Sequence, residues 1–312
     1  MVRRYGKPNY QTLTRQIRRF TATSATNLTE AVNISHSSLP KISIVTPSFN
    51  QAKFLERTIL SVLNQRYPNL EYIIIDGGST DGSVDIIKKY EPHLSYWVSE
   101  PDNGQANAIN KGLRLATGDW VGFQNSDDLY LPGAFHKFAK AIEKDNTAEV
   151  IYGNMVHIDS DDIVYDVQLT GPAHGWLHLA QGIQFHNQAT IWRRALLERA
   201  GYLDENFQFC MDFEYFARLV IQHKVKLRHV DELVGAFRSH ADSKSRTMLA
   251  TSAKEHELVI TKFGGRGKRG KNSGVYLLST VLAKSYKGLW YMTHKHSWYL
   301  VRHLTPSTRD VK

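Results

Sequence analysis

The sequence predicts an α/β fold in which helices flank a mainly parallel, mixed sheet. Three observations favour this class. From residue 41 onward, short apolar segments typical of buried strands alternate with segments whose apolar residues recur at helical spacing. Gly-, Asp- and Asn-rich loops follow the strand segments, and this order of elements is typical of parallel sheets. The composition, 42% hydrophobic and 22% charged residues in a chain of 312, suits a sizeable folded core.

The first predicted elements are one strand and one helix. Residues 42–45 are predicted as a buried strand that Thr46-Pro47 stops, because proline has no backbone N–H to donate. Apolar residues between Leu55 and Leu63 recur at helical spacing, and this helix is expected to end near Tyr67-Pro68.

The later elements continue the alternation. Further strands are predicted at residues 72–75, 96–98, 120–123, 150–152 and 226–229, and further helices at residues 84–90, 105–116, 134–143, 193–200 and 212–222. One more helix, beyond about residue 250, is expected to end at the glycine-rich segment 264–270. Ligands of such sheets bind beyond the carboxyl ends of the strands, so the loops after the strands are expected to share one cleft.

We expect three parts along the chain. Residues 1–40 are predicted as a basic N-terminal arm with one short helix around residues 10–20, and residues 41–250 as the α/β domain. Residues 251–312 are predicted as a basic, aromatic-rich helical extension. The Arg-rich, acid-poor arm is compatible with a transit peptide and equally with a leader that docks on its own domain.

Composition restricts the function classes. The single Cys210 excludes an intramolecular disulfide framework and suits a reducing compartment. No apolar run has the length of a membrane span, so we expect a cytoplasmic protein. The net charge of +9 is concentrated in the two ends of the chain and suits anionic partners. No base-reading motif accompanies those charges, so we expect no nucleic-acid partner.

An acidic turn follows the strand at residues 120–123. The segment Asn125-Ser126-Asp127-Asp128 places two adjacent carboxylates and an amide at the carboxyl edge of the predicted sheet. Oxygen ligands of this kind hold Mg²⁺ or Mn²⁺, and a cation there can neutralise a phosphate leaving group. A solvated Asp-rich turn explains the segment equally well, so both interpretations stay open.

The loops after the first two strands also carry candidate residues. Thr46-Pro47 leads to Phe49 and Asn50, and Asn50 is either the N-cap of the next helix or part of an edge for a planar base. In the second loop, Gly78 permits a positive φ and close ligand approach, and the Asp76 carboxylate can accept from a base N–H.

Two further features flank these loops. Asp81 is interpreted as a cap for the helix that begins near Ser83. Asp102 and Gly104 precede a helix whose amino terminus favours anionic groups, with Asn107 and Lys111 in its first turns. Lys111 or Arg114 can pair with phosphate or simply cover an exposed face.

Together these segments resemble the nucleotide-sugar half of a family 2 glycosyltransferase with the GT-A fold. The resemblance spans roughly residues 42–245 and includes several motifs in their family order. The segments that carry it are Ile44-Val-Thr-Pro-Ser-Phe-Asn50, Ile74-Ile-Asp-Gly-Gly-Ser-Thr-Asp-Gly82, Asp102-Asn-Gly104 and Thr117-Gly-Asp119 running into Asn125-Ser-Asp-Asp128.

The resemblance implies a role for each motif. The aspartate matching Asp76 contacts the base, the one matching Asp102 lies by the ribose and diphosphate, and the turn at residues 125–127 is the metal-binding Asp-x-Asp element. The nucleotide-sugar site is predicted at Thr46, Pro47, Phe49, Asn50, Asp76, Gly78, Asp102, Gly104, Asn107, Lys111, Asn125, Ser126 and Arg238. Because Asn125 replaces the first acid, the Mg²⁺ or Mn²⁺ ligands are expected at Asp127 and His240.

The resemblance also implies a catalytic base. Met211-Asp212 resembles the family's Glu-Asp pair, whose aspartate removes the proton of the attacking hydroxyl, and Met211 departs from the usual glutamate. Asp212 is therefore the predicted base, with Glu214 as its rival and an N-cap role as the structural alternative. Arg238 and His240 match the family's Arg-x-His-x-x-Ser-x-Ser element near the metal and diphosphate. Trp192 lies in a segment that resembles the cleft lining, although core packing explains it better.

The resemblance implies a metal-dependent, inverting transferase of hexosyl type. It would move a sugar from a nucleoside-diphosphate sugar, a UDP-sugar by preference, to a hydroxyl of a glycan or lipid-linked acceptor during polysaccharide, glycolipid or glycoprotein glycan synthesis. The alternative is a nucleotide-sugar-binding or scaffolding protein with weak or lost catalysis, which Asn125 and Met211 favour. The extension is compatible with peripheral contact with the inner face of the cell membrane, or with packing on the domain or on a second copy in a homo-oligomer.

Overall fold

The computed structural model describes residues 8–22, 39–171, 173 and 185–264, together with 285 and 289. Its helices are α1 (Tyr10–Thr21), α2 (Ala52–Leu63), α3 (Ser83–Tyr90), α4 (Gln105–Leu115), α5 (Ala134–Lys144), α6 (Ala195–Ala200), α7 (Met211–Ala217), α8 (Lys244–Thr247) and α9 (Leu249–Lys262). Its strands are β1 (Ile42–Ser48), β2 (Leu70–Asp76), β3 (Tyr96–Ser99), β4 (Trp120–Phe123), β5 (Leu129–Tyr130), β6 (Val150–Ile158), β7 (Val164–Gln168), β8 (Thr190–Arg193) and β9 (Leu227–Arg238).

The described strands form one mixed sheet in the order β3-β2-β1-β4-β8-β6-β9-β5, with β7 paired to β6. The first four strands of this order are parallel neighbours, and β1 pairs with both β2 and β4. On the other side, β8 is antiparallel to β4 and β6, whereas β9 is parallel to β6. The predicted mainly parallel, mixed sheet is therefore confirmed.

Helices cover both faces of the sheet. Ile44 and Ile74 face one side, where α2, α3 and α5 pack, and Val45 and Ile73 face the other, where α4, α6 and α7 pack. Parallel strands buried on both faces are continuously apolar, which is why residues 72–75 contain Tyr-Ile-Ile-Ile without alternation.

Strand β1 continues past the point where the sequence predicted its end. It pairs with β2 as far as Ser48, although Pro47 lies within it. The pairing with β4 stops at Val45 opposite Phe123, so the missing N–H of Pro47 faces a side where no strand follows. Proline is tolerated here because β1 is by then an edge strand.

Several elements beyond β4 differ from the prediction. Strands β5, β7 and β8 were not predicted, and β6 and β9 are longer than residues 150–152 and 226–229. Arg193 ends strand β8 instead of starting a helix, since it pairs with Trp120 of β4. The helix predicted over residues 212–222 consists of α7 followed by a π-helical turn. The corrections to the strands share one cause, since strand partners distant in sequence decide them.

The arm helix is present as α1, and it packs on the domain. Ile17 lies in an apolar cluster with Val164, and Thr14 Oγ1 accepts from the Val164 N–H at 3.0 Å. The proposed helical extension falls outside the described residues beyond Gly264, apart from two isolated positions. In the part of the chain that the structure describes, no helix is both long and apolar enough to cross a bilayer.

Candidate active site

A cavity of about 740 Å³ opens at the carboxyl ends of β1 and β4. Its walls come from the loops after β1, β3 and β4, from the start of α7, and from the segment that leads into α8 and α9. The predicted residues in its lining are Pro47, Phe49, Asp102, Gly104, Asn125, Ser126, Asp127, Asp212 and Arg238. Those outside its lining are Thr46, Asn50, Asp76, Gly78, Asn107, Lys111 and His240.

Asp76 organises the second loop from within. Its side chain is fully buried and accepts hydrogen bonds from the backbone N–H groups of Gly78 and Ser79 and from the hydroxyls of Ser79 and Ser99. Gly78 has a φ of +83°, the positive value expected of a glycine in this loop. Because Asp76 already accepts four bonds, its carboxylate holds the loop that borders the cavity rather than facing the cavity itself.

Asn50 joins the first and second loops. It is not the N-cap of α2, whose N-cap is Gln51, but has a φ of +51° and accepts from the Thr80 N–H at 2.9 Å. Asp81 serves both neighbouring helices, since it accepts from the Ala52 N–H at the start of α2 and from the Ser83 N–H at the start of α3. The N-cap interpretation of Asn50 is wrong because a cross-loop bond uses its side chain.

Asp102 meets the second loop at the cavity wall. A Cβ on Gly77 would lie 2.6 Å from Asp102 Oδ2 and 3.3 Å from the ring of Phe49, so glycine permits this close approach. Asp102 Oδ1 accepts from the Gly104 N–H at 2.8 Å. Phe49 is 60% exposed, which leaves its ring open to a planar ligand. These contacts form one side of the cavity.

Two residues of α4 are turned to other partners. Lys111 Nζ lies 2.7 Å from Glu100 Oε1, and Asn107 Nδ2 donates to Glu205 Oε2 at 2.9 Å. Neither residue lines the cavity. The expected phosphate contact of Lys111 is therefore not available in this arrangement, because an ion pair outside the cavity uses its charge.

The acidic turn contains one buried and one accessible carboxylate. Asp128 is buried and accepts from Gln188 Nε2, Asn125 Nδ2 and the backbone N–H of Arg238. Burial and the adjacent charge of Asp127 raise the pKa of Asp128 well above its usual range. Asp127 lines the cavity and keeps part of its side chain exposed.

The amide at position 125 has a structural reason. Asn125 Nδ2 donates to Asp128 Oδ2 at 2.9 Å, and its Oδ1 accepts from Gln105 Nε2 at 2.7 Å. An aspartate at this position would place a second carboxylate against the buried Asp128 and would have no hydrogen to donate. The departure from an acid thus satisfies Asp128 and leaves Asp127 as the accessible charge of the turn.

His240 lies behind Asp127. Its Nε2 is 3.1 Å from Asp127 Oδ2, and its ring packs 4.5 Å from that of Phe54. The Ser243 hydroxyl accepts from the His240 backbone N–H, which fixes the start of this segment. The buried Nδ1 has no hydrogen-bond partner among the described residues.

Arg238 holds the acidic turn instead of facing a ligand. Its guanidinium is fully buried, pairs with Asp162 at 2.6 Å, and donates to the carbonyl oxygens of Asp127 and Asp159. The expectation that Arg238 pairs with phosphate is corrected, because these internal acceptors use its donors. Arg238 is the last residue of β9, and its backbone N–H also donates to Asp128 Oδ1 at 2.8 Å, so β9 contacts the turn through this residue.

Asp212 stands at the opposite wall of the cavity. Its side chain is half-buried, and Oδ1 accepts from the neighbouring Phe213 N–H at 2.7 Å. Desolvation raises the pKa of Asp212 to about 6. The N-cap of α7 is Cys210 rather than Asp212. The rival Glu214 is fully buried, pairs with Arg218 and Lys262, and is outside the cavity lining.

Two charged residues at this wall, Glu255 and Lys244, were not among the predicted site residues. Glu255 of α9 is buried and accepts from the backbone N–H groups of Gln208, Phe209 and Cys210 at 2.9, 2.9 and 2.8 Å. It therefore holds the loop that leads into α7. The available signal was its place in the apolar stripe with Val259, four residues along the same helix face.

Lys244 is the second missed residue. It lines the cavity, and its Nζ donates to Gln105 Oε1 at 2.8 Å and to the Gln208 carbonyl at 3.3 Å. The lysine occupies an unspecified position of the Arg-x-His-x-x-Ser-x-Ser pattern, so the pattern itself gave no signal. By contrast, Trp192 is fully buried against Phe123 and Phe216, as core packing predicts.

The family model described as Glycosyl transferase family 2 matches residues 43–207, which include the cavity-lining loops after β1, β3 and β4. The chain belongs to this family. It is therefore a glycosyltransferase, as the resemblance of its motifs implied.

Two relatives illustrate the range of the family. An uncharacterized glycosyltransferase of Mycobacterium tuberculosis is 32% identical over 189 residues, which are 59% of this chain and 71% of that protein. The chondroitin synthase of Pasteurella multocida is 27% identical over 227 residues, 72% of this chain but only 23% of that protein. The likeness to the synthase thus concerns one part of a much longer chain.

Two solved structures share the fold. Staphylococcus aureus TarS in complex with UDP-GlcNAc is 16% identical, with a TM-score of 0.54 over 78% of this chain and 79% of that one. The mannosyltransferase PcManGT of Pyrobaculum calidifontis, in complex with GDP-Man and Mn²⁺, is 18% identical, with a TM-score of 0.55 over 96% of this chain and 84% of that one. The GT-A fold class is thereby confirmed.

Proposed function

We propose that this chain is a metal-dependent, inverting glycosyltransferase that moves a sugar from a UDP-sugar to a hydroxyl acceptor. One observation carries the proposal: Asp127 and Asp212 line the same cavity, and the pKa of Asp212 is raised to about 6. A carboxylate with such a pKa is ionised at neutral pH and is more basic than an ordinary aspartate. The metal ligand Asp127, which serves the leaving group, and the base Asp212, which serves the nucleophile, can therefore act in the same cavity.

The residues present fit a divalent cation. Asp127 Oδ2 and His240 Nε2 lie 3.1 Å apart. Neighbouring ligand atoms in an octahedral Mg²⁺ shell are separated by about 3 Å, so this spacing is suitable. The described residues contain no group of three or more His, Cys, Asp or Glu side chains placed to hold one metal ion together. Such a site suits Mg²⁺ or Mn²⁺, because these ions bind through one or two protein ligands together with substrate phosphates and water. The bound ion would stabilise the negative charge of the diphosphate.

The donor is expected to lie along the wall formed by the first loops. The exposed ring of Phe49 offers a face for the uracil, and Asp102 lies beside it for the ribose. A uridine donor is supported by the UDP-GlcNAc that fold neighbour TarS binds. A glycan acceptor is supported by the likeness to a chondroitin synthase.

The transfer follows from the position of Asp212. The acceptor hydroxyl gives its proton to the Asp212 carboxylate while its oxygen forms a bond to the anomeric carbon of the donor. The bond between that carbon and the diphosphate oxygen breaks, and the electron pair leaves with the oxygen. A single displacement of this kind inverts the anomeric configuration, and Asp212 afterwards releases the proton to solvent.

The test is a transfer assay on wild type and Asp127→Ala. Loss of several kcal/mol of charge stabilisation corresponds to roughly a thousandfold lower kcat. UDP together with Mn²⁺ should raise the thermal unfolding temperature of the wild type but not that of Asp127→Ala. Unchanged turnover of Asp127→Ala would contradict the metal assignment. Metal-dependent UDP binding without transfer to any glycan acceptor would instead favour a binding or scaffolding protein.

A further inference from the structure

The cavity is rich in negative charge. Besides the buried Asp128, its described lining holds four aspartates, namely Asp102, Asp127, Asp212 and Asp242. A nucleoside diphosphate that enters such a space is repelled unless cations face it. A divalent ion near Asp127 supplies part of the required charge, so the question is which side chain supplies the rest.

The cations that the sequence offered for this purpose are engaged elsewhere. Lys111 pairs with Glu100, and Arg114 lies 4.0 Å from Glu205. Arg238 is buried under the acidic turn in an ion pair with Asp162. In each case a carboxylate of the protein already neutralises the charge.

Lys244 differs from all three. Arg238 and Lys244 are the lysine or arginine residues in the cavity lining, as far as the described residues show, and Lys244 has no ion pair with a described carboxylate. Its two hydrogen-bond acceptors, Gln105 Oε1 and the Gln208 carbonyl, are neutral. Lys244 is also reached by solvent, so an entering ligand can contact its ammonium group.

Lys244 is held beside the proposed metal site. Gln105 accepts from Lys244 through Oε1 and donates through Nε2 to Asn125 Oδ1 at 2.7 Å. One amide therefore spans the distance between the lysine and the acidic turn. Desolvation lowers the pKa of Lys244, and the charges of Asp127, Glu255 and Asp102 oppose that change, so the ammonium lies in the field of residues assigned to metal and ribose.

We propose that Lys244 is a diphosphate-binding residue, whose ammonium group contacts the phosphate oxygens of the donor. This inference rests on the proposed function. When the bond from the anomeric carbon to the diphosphate oxygen breaks, further negative charge develops on the leaving group. A fixed cation beside it is worth more in the transition state than in the ground state. Lys244 then takes the phosphate role that the sequence suggested for Arg238.

The test compares K244M and K244R with K111M as the matched control. Affinities for UDP and for uridine are measured by calorimetry in Mn²⁺ and in EDTA, and thermal unfolding checks that each variant is folded. Loss of one charge-assisted contact predicts about tenfold to hundredfold weaker UDP binding by K244M. Uridine binding is expected to stay the same, as are both affinities of K111M. K244R keeps the charge and should bind UDP more tightly than K244M.

The outcomes separate the inference from the proposed function. A folded K244M that binds UDP as tightly as wild type overturns the role of Lys244. If K244M does not fold, K244R tests the role of Lys244, because arginine keeps the charge and should retain most of the UDP affinity. A K244R variant that binds uridine like wild type but UDP at least tenfold more weakly would also overturn the role of Lys244. Failure of the wild type to bind UDP with Mn²⁺ overturns the proposed function itself.

Discussion

The two walls of the cavity are held in different ways. On the nucleotide wall, Asp76 accepts from Ser79 and Ser99, three and 23 residues along the chain, within a motif and a neighbouring strand. On the wall that carries Asp212, the loop at residues 208–210 depends on Glu255, which is 45 residues beyond Cys210. The first wall is therefore built by adjacent parallel strands, and the second by contacts from a later helix.

The two walls also differ in whether the family model covers them. The matched residues 43–207 contain the acidic turn and the nucleotide loops but not Asp212, Lys244 or Glu255. Val259 and Ile260 of helix α9 lie in one apolar cluster with Phe213, so α9 packs directly against the start of α7. The walls should accordingly respond differently to substitution, and three variants test this.

The largest effect is expected for Asp212→Asn. The amide cannot accept the acceptor proton, so kcat should fall by about 10²- to 10⁴-fold, while UDP affinity stays within about twofold. In wild type the base is active only when ionised. Since its pKa is about 6, the rate should fall as the pH drops below that value and level off above it. Initial rates across a pH series measure both.

Asp242→Asn is the matched control for that variant, because Asp242 is an exposed carboxylate in the same lining with no assigned role. Its kcat and pH profile should match those of wild type. Transfer by Asp212→Asn at the wild-type rate would remove Asp212 as the base and leave the second wall without a chemical role.

A smaller effect is expected for Glu255→Gln. The amide replaces one acceptor oxygen by a donor that faces backbone N–H groups, which should cost about 2 kcal/mol of unfolding free energy. A displacement of Asp212 by about 1 Å would lower kcat roughly a hundredfold, with UDP affinity unchanged. Denaturant unfolding and steady-state kinetics measure the two effects.

Glu257→Gln on the same helix is the control, and it should leave both quantities unaltered. If Glu255→Gln lowered stability with an unchanged kcat, the carboxylate would be purely structural. Full rescue of kcat by Glu255→Asp would instead support positioning through the backbone of residues 208–210.

The smallest effect is expected for Asn125→Asp on the nucleotide wall. The new carboxylate repels Asp128 and removes a donor, which should lower the unfolding free energy by about 1–3 kcal/mol without metal. Repulsion raises the carboxyl pKa values of the pair, so stability is kept at low pH, where one group is protonated, and is lost as the pH rises through those values. Thermal unfolding with EDTA and with Mn²⁺ measures this.

Mn²⁺ should stabilise Asn125→Asp more than wild type, because the added charge is then shared with the cation. Asn103→Asp, on an exposed loop, is the control and should change little. Equal stability of Asn125→Asp and wild type in EDTA would contradict the explanation given for the amide.

The sequence predicted the parallel half of the fold well and the antiparallel half poorly. Strands β1 to β4 each contain a short segment rich in apolar β-branched or aromatic residues, and glycine- or proline-containing loops separate them, so the local pattern suffices to predict them. Strand β5 is only Leu129–Tyr130, and it exists because Ala236 and Gly235 pair with it across more than a hundred residues. No local pattern encodes such a partner.

The same limit applies to the candidate site. Asp127 and Asp212 could be singled out because their motifs are local, and both line the cavity. Arg238 was assigned to phosphate because it matches the family's Arg-x-His-x-x-Ser-x-Ser element. Its buried partner Asp162 lies 76 residues earlier, in a loop with no recognisable pattern, so the ion pair could not be predicted. Lys244 and Glu255 were missed for the matching reason, since their significance depends on Gln208, which only the folded chain brings near them.

Pro47 in β1 affects the shape of the sheet at the point where the cavity opens. On the β4 side, backbone pairing ends at Val45, and the next residue that would face that side has no hydrogen to donate. The pairing of β1 with β4 therefore cannot continue past Val45 through a further backbone hydrogen bond donated by β1. Pro47 therefore leaves a gap between the ends of β1 and β4 within the sheet of described strands, and the cavity opens at that gap.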